Sequence, residues 1–185
     1  QQLHLLLEEI RPAVDAERHR VISVVSGVSI SEIHEALGST VPVVRAMPNT
    51  AVSIGESMTC LCSDERQGPA LAEATELFEA VGRTLVIEEE MMVPTTALCA
   101  CGVAFFLRCV RAASQGGIEI GFHPEEALLL AAQTAKGAAA LALKEDSHPE
   151  GEIDRVTTPR GCTIAGLNEM EHQGLSSAMI RGITV

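Results

Sequence analysis

The sequence predicts an α/β fold with a parallel, doubly wound sheet over residues 1–88, followed by an all-helical domain over 89–185. Three observations carry that reading. Apolar helical stripes alternate with short strand runs as far as Glu88, at the spacing of βα units. No strand pattern follows Glu88, where two long Ala- and Leu-rich helices take over. The chain of 185 residues is 46% hydrophobic but only 2% aromatic, without Trp or Tyr, so its core must use aliphatic and small side chains that favour helices.

Gln1 to Val14 reads as a helix, with Leu3, Leu6, Leu7 and Ile10 on one stripe. Val21-Ile22-Ser23-Val24-Val25 suits a buried parallel strand ending at Ser26-Gly27. Ser29 or Ser31 caps the next helix, which runs through Leu37; Ser29 and Glu32 have capping-box spacing. Val41 to Met47 is a second strand, closed by Pro48, and Glu56 to Cys62 a third. Asp64 to Val81 is a helix stopped by Gly82, and Arg83 to Glu88 is the last strand. A strand, a Ser-Gly turn and a helix in that order suit a dinucleotide at the carboxyl edge of a Rossmann-like sheet.

Beyond Glu88, Met91 to Ala113 reads as a long apolar helix despite Pro94, with Arg108 and Arg111 only late in it. Pro124 opens a second long helix at its first turn, running to Lys144 and broken by His148-Pro149. A short acidic helix, a Thr-rich loop, a helix from Thr163 to His172 ended by Gly174, and a short helix from Ser176 complete the chain. The run Ala127-Leu128-Leu129-Leu130-Ala131-Ala132 is apolar all round and needs cover on every side. So short a helical half cannot supply it, and an intersubunit interface is expected.

The formal net charge is −12, and Arg18-His19-Arg20 is the densest basic patch. Nucleic acid and anionic membrane are therefore poor partners. The apolar run Ala97 to Leu107 is too short to span a bilayer. Leu3 to Leu7 contains His4, leads into charged helix and lacks a cleavage-like site, so it does not read as a secretory signal. Of six Cys, Cys60/Cys62 and Cys99/Cys101 have one-residue spacing, whereas zinc sites use a spacer of roughly two to four residues. Buried free thiols in a reducing cytoplasm are expected instead. Glu169-Met170-Glu171-His172 holds an E-x-x-H pattern without a second copy, so no metal is expected. The chain opens at Gln1 in what reads as mid-helix, and residues upstream of it are expected.

The richest local pattern is Asp154-Arg155-Val156-Thr157-Thr158-Pro159-Arg160-Gly161-Cys162-Thr163-Ile164-Ala165-Gly166-Leu167-Asn168-Glu169-Met170-Glu171. A loop of this composition before a helix presents hydroxyls and free backbone N–H groups to an anion. Thr163 can equally serve as a plain N-cap.

That run, from His148-Pro149 through Glu171-His172, is the third of three motifs. The first is Val44-Arg45-Ala46-Met47-Pro48-Asn49-Thr50 with Gly55-Glu56. The second is Gly116-Gly117-Ile118-Glu119-Ile120-Gly121 with Gln133-Thr134 and Lys136-Gly137-Ala138-Ala139. In this order they resemble the pyrroline-5-carboxylate reductase family, and weaker similarity extends over nearly the whole chain. The resemblance implies hydride transfer from NADPH or NADH to the C=N carbon of 1-pyrroline-5-carboxylate, giving L-proline in a cytoplasmic homodimer or higher oligomer of dimers. It implies that Cys162 and Thr163 offer backbone N–H groups to the substrate carboxylate. The Thr163 hydroxyl would lie near the imine nitrogen as the catalytic group. Val156, Thr157, Thr158, Gly161 and Glu89 would complete the substrate site. Val24, Val25, Ser26, Met47, Pro48 and Asn49 would contact the cofactor.

The chain departs from the family pattern at several points. Where the family has a Ser- and Gly-rich run, then Pro and an aromatic hydroxyl, this chain has Leu98-Cys99-Ala100-Cys101-Gly102-Val103-Ala104-Phe105-Phe106. Phe105 stands for a common Tyr, Val103 for the Pro, and Arg160 for a Gly of the Thr-rich loop. The family's Gly-rich phosphate-binding turn is expected upstream, within about two βα units of ~30 residues each. Two other readings remain: a non-catalytic dimerisation or regulatory homologue, and a related NADP-dependent dehydrogenase. The latter would be expected to carry a catalytic Lys on the interdomain helix, and Met91 to Arg108 contains none.

Overall fold

A computed structural model describes residues 2–38, 40–65 and 67–185. Gln1 and Arg66, which fall in two of the expected helices, lie outside the described residues. The chain forms two compact units, Gln1–Val103 and Ala104–Val185.

The first unit begins with α1 (Gln2–Ile10), which passes through a short 3-10 turn, Arg11–Ala13. Then come β1 (Val21–Ser23), α2 (Ile30–Leu37), β2 (Val43–Met47), β3 (Ser57–Ser63), α3 (Pro69–Glu79) and β4 (Gly82–Val86). The sheet order is β1-β2-β3-β4. β1 and β2 are parallel, as are β3 and β4, but β2 and β3 are antiparallel. The sheet is thus mostly parallel rather than wholly so. The reason lies in the connection: β2 and β3 are joined only by a 3-10 turn, Thr50–Ile54, and a parallel crossover needs a dozen residues or more.

Helices cover both faces. Leu7, Ile30, Ile33, Leu37, Val43, Met47 and Cys62 form one core cluster with Met92. Val44, Ala46 and Leu61 pack against Ala70, Leu71 and Ala74 of α3 on the other face. Alternation along β2 thus feeds two cores, as a strand buried on both sides requires. At the start of β4, Gly82 has φ +153°, and a Cβ there would collide with the Ser57 backbone. Only glycine allows β3 and β4 to pair so closely at that point.

Element ends differ from the sequence reading where local chemistry dictates. α3 starts at Pro69 rather than Asp64, because proline suits a first helical position and Asp64 instead accepts from the Glu65 N–H. β1 stops at Ser23, leaving Val24 and Val25 exposed at 56% and 39% instead of buried in a strand.

After β4 the chain enters a 3-10 turn (Glu89–Met91), α4 (Met92–Thr95), a π-helical stretch (Thr96–Cys101) and α5 (Gly102–Glu119). These make one helical run, Glu89–Glu119, long and apolar enough to cross a membrane by length and composition. The apolar run Ala97 to Leu107 is too short for that by itself; the helix gains its length from the turns on either side. Pro94 falls within the first turns, where its missing N–H costs least.

In the second unit, α6 (Pro124–Ala142), α7 (Pro149–Val156), α8 (Cys162–His172) and α9 (Leu175–Thr184) follow α5. Among the described residues from 104 onward, only Ser114 and Ala127 are buried. A Cβ on Gly117 would lie 3.1 Å from the Ala127 Cβ, so a missing side chain is what lets α5 and α6 cross closely. Cys60 and Cys62 are buried as expected, but Cys101, Cys109 and Cys162 are exposed because the helices that carry them have little cover.

Candidate active site

Two groups of residues emerge, one in each unit. In the first unit, β1 and β2 are parallel neighbours, with Ser23 beside Arg45. Their carboxyl ends therefore lie at one sheet edge, and the expected cofactor residues Val24, Val25, Ser26, Met47, Pro48 and Asn49 leave the sheet there. Val25 N–H reaches back to Ser23 Oγ at 3.4 Å. Met47 is buried in the core, while Val24 and Val25 present apolar surface.

Asn49 is fixed on three sides. Its N–H donates to Ser57 Oγ at 3.2 Å, its Oδ1 accepts from the Ala51 N–H at 3.0 Å, and its Nδ2 donates to the Cys99 carbonyl at 3.3 Å. The last bond falls in the π-helical stretch, a helix distortion frequent at functional sites. Ser57 is buried and shares a hydrogen bond with Thr59.

Glu89 sits at the first turn of α2. Its Oε1 accepts from the Ile30 N–H at 2.8 Å and from Arg45 Nη1 at 2.9 Å. A carboxylate there complements both the helix N-terminus and the guanidinium. Glu89 near Arg45 and Cys99 near Asn49 make the 89–101 segment run along β2, with Met92 in the core between them. Cys62, paired with Arg45, has its thiol pushed up to about 11 by burial, with the Glu89 charge adding to the shift. Burial also raises the Cys99 thiol, and neighbouring Cys60 adds to that.

The second group is the connection from α7 to α8. Val156 ends α7 and is exposed, and Thr157 is the C-cap, with its Oγ1 donating to the Ile153 carbonyl at 2.8 Å. Thr158 O accepts from the Gly161 N–H at 2.9 Å. Arg160, between them, has φ +58°. Gly161 is the N-cap of α8, and a Cβ on it would collide with Thr158 Oγ1. The turn is that tight. Cys162 and Thr163 are the first helical residues, so the plain N-cap role falls to Gly161 and not to Thr163. No side chain caps α8. The N–H groups of Cys162, Thr163 and Ile164 point out of its first turn, where an anion is favoured.

Arg45 and Ser57 escaped the sequence reading as functional positions. The signal for Arg45 was present: a charged residue inside an apolar strand is rarely buried without a partner. The partner, Glu89, lies 44 residues away along the chain, and no local pattern links them.

A family model for pyrroline-5-carboxylate reductase dimerisation matches residues 89–185. The chain is 56% identical to pyrroline-5-carboxylate reductase 1 of Dictyostelium discoideum, over 98% of this chain and 35% of that protein. It is 34% identical to the pyrroline-5-carboxylate reductase of Methanosarcina acetivorans, over 99% of this chain and 68% of that protein. It thus spans from about a third to about two thirds of the length of these relatives. Among solved structures, the Coxiella burnetii pyrroline-5-carboxylate reductase superposes with a TM-score of 0.90 at 29% identity, covering 99% of this chain and 68% of that one. The Plasmodium falciparum pyrroline carboxylate reductase, solved with NADP bound, gives 0.87 at 25% identity over 98% of this chain and 73% of that one. The chain belongs to the pyrroline-5-carboxylate reductase family.

Proposed function

We propose that the complete protein reduces 1-pyrroline-5-carboxylate to L-proline with NADPH or NADH. The observation that carries this is the α7–α8 turn, which aims unpaired backbone N–H groups from the start of α8, in a chain of this family. The substrate carboxylate is the anion such a helix start favours. Cys162 and Thr163 hold it through backbone N–H groups, with Val156, Thr157, Thr158 and Gly161 shaping the turn. Thr163, freed from capping, supplies a hydroxyl near the imine nitrogen.

The nicotinamide supplies a hydride to the imine carbon. The described residues fit such a ring: Val24 and Val25 form an exposed apolar ledge at the carboxyl ends of parallel strands, the edge that dinucleotides use. Ser26, Met47, Pro48 and Asn49 continue that edge. A homodimer, formed by the helical half, covers the apolar faces of α5 and α6 in place of lipid. Higher assembly and a cytoplasmic location are part of the same reading.

The test is an assay of the complete protein with both reduced nicotinamides and the imine. Loss of reduced-nicotinamide absorbance is expected, and none with either cofactor would sink the reading. Thr163→Ala is expected to lower kcat by about 100-fold, the low end for a positioned proton donor. Unchanged turnover in that variant removes the role of the hydroxyl while leaving the reaction.

A further inference from the structure

We propose that Arg45 is a positioning residue for cofactor binding, acting through Glu89 on the first turn of α2. Its side chain is only 6% exposed, yet it lies on a strand whose same-face neighbours, Val43 and Met47, belong to an apolar core. Its Nε has no hydrogen-bond partner. A buried guanidinium left partly unpaired is a poor choice for stability alone, since an apolar side chain would fill the same space without a desolvated charge. What the charge supplies is register.

One oxygen of Glu89 gathers three elements. It accepts from Arg45 of β2 and from the Ile30 N–H of α2, and Glu89 itself opens the segment that runs along β2 to Cys99. The turn from Val24 to Ser29 is therefore held at both ends. Its start is fixed by the β1–β2 ladder. Its end is fixed by the Ser29–Glu32 capping box and by the Glu89 bond to the next N–H. Without Arg45, Glu89 is drawn toward solvent, and the far end of the turn keeps only the capping box. Arg45 touches neither cofactor nor substrate in this account. The inference rests on the reading that Val24, Val25 and Ser26 contact the nicotinamide cofactor.

The test uses the complete protein as wild type, Arg45→Met, Arg45→Lys and Glu89→Gln. Cofactor Kd is measured by calorimetry without imine, and kcat and each KM are measured separately. Arg45→Met is expected to weaken cofactor binding by about 10-fold to 100-fold, the scale on which displaced positioning groups act. It should raise the cofactor KM in step, with a smaller change in the imine KM. Arg45→Lys restores part of the affinity, because an ammonium still attracts Glu89 but lacks the planar fork. Glu89→Gln reproduces the loss. A merely structural role would lower the melting temperature and leave Kd unchanged below it. Should Arg45→Met fail to fold, Arg45→Lys and Glu89→Gln decide: wild-type Kd in both overturns the proposal. A wild-type protein that binds neither nicotinamide overturns the functional reading and the proposal together. Wild-type activity with unaffected variants overturns the proposal alone.

Discussion

Arg160 holds a left-handed backbone, φ +58°, in the turn before α8. That conformation costs an ordinary L-residue about 1–2 kcal/mol, whereas glycine adopts it freely but loses ~0.5–1 kcal/mol through its greater freedom when unfolded. Arg160→Gly should therefore stabilise the chain by about 0.5–1 kcal/mol, read as a higher denaturant midpoint at unchanged slope; a lower midpoint would contradict the strain. The cysteines allow a second residue-scale prediction. With its thiol near 11, Cys62 is about one part in a thousand thiolate at pH 8, and only the thiolate alkylates. Cys162 is exposed. Iodoacetamide at pH 8 should label Cys162 well before Cys62, as peptide mass spectrometry would show, and equal rates would mean that the first-unit core opens readily. At this scale the sequence was partly legible. Thr163 stood out as a candidate N-cap, but the cap of α8 is Gly161, set by a close approach to Thr158 that only three dimensions reveal.

The best-read element is α2. Ser29 and Glu32 form the capping box their spacing announced: Ser29 Oγ accepts from the Glu32 N–H at 3.2 Å, and Glu32 Oε2 accepts from the Ser29 N–H at 2.8 Å. Ser29→Ala should cost about 1 kcal/mol, the usual worth of an N-cap. The Ser29 N–H bond, then its hydroxyl, holds the Glu32 carboxyl below its ordinary value. A depressed carboxyl stabilises the folded state above its unfolded pKa, and that contribution is lost as pH falls through the folded one. Acid titration of Glu32→Gln against wild type should therefore show a stability gap at neutral pH that closes below the carboxylate range. A gap independent of pH would remove the ionic part of the box. Where local signals sufficed, elements were found; where pairing partners mattered, they were not. The strand runs placed β2 and β3 in a parallel sheet, and their antiparallel pairing follows from the short Thr50–Ile54 turn between them. The π-helical stretch Thr96–Cys101 left no trace beyond its unusual composition, since the Asn49 bond to the Cys99 carbonyl is long-range.

At the scale of the whole molecule, the two units differ in how well they are finished. The first unit has a core on both faces of its sheet. The second leaves Phe106, Leu107, Leu128, Leu129 and Leu130 exposed, Leu129 at 69%, beside an open apolar groove of ≈ 1140 Å³ along α5 and α6. The apolar run at Ala127 to Ala132 signalled this lack of cover. Full burial of one such side chain is worth about 1.5–3 kcal/mol, so covering half of five is worth about 5 kcal/mol, close to the lower end of a domain's entire stability. A unit this bare gains as much from a second copy as many domains gain from folding. Stability should then follow mass action, with the melting temperature of the complete protein rising with its concentration. Leu129→Glu places a charge on the uncovered face, where burying it without a partner is prohibitive. That variant should sediment as a monomer or associate without defined stoichiometry, and it should lose the concentration dependence of melting. A wild-type protein that sediments as a monomer, or a Leu129→Glu variant with wild-type mass and melting, would mean that some other contact covers α6.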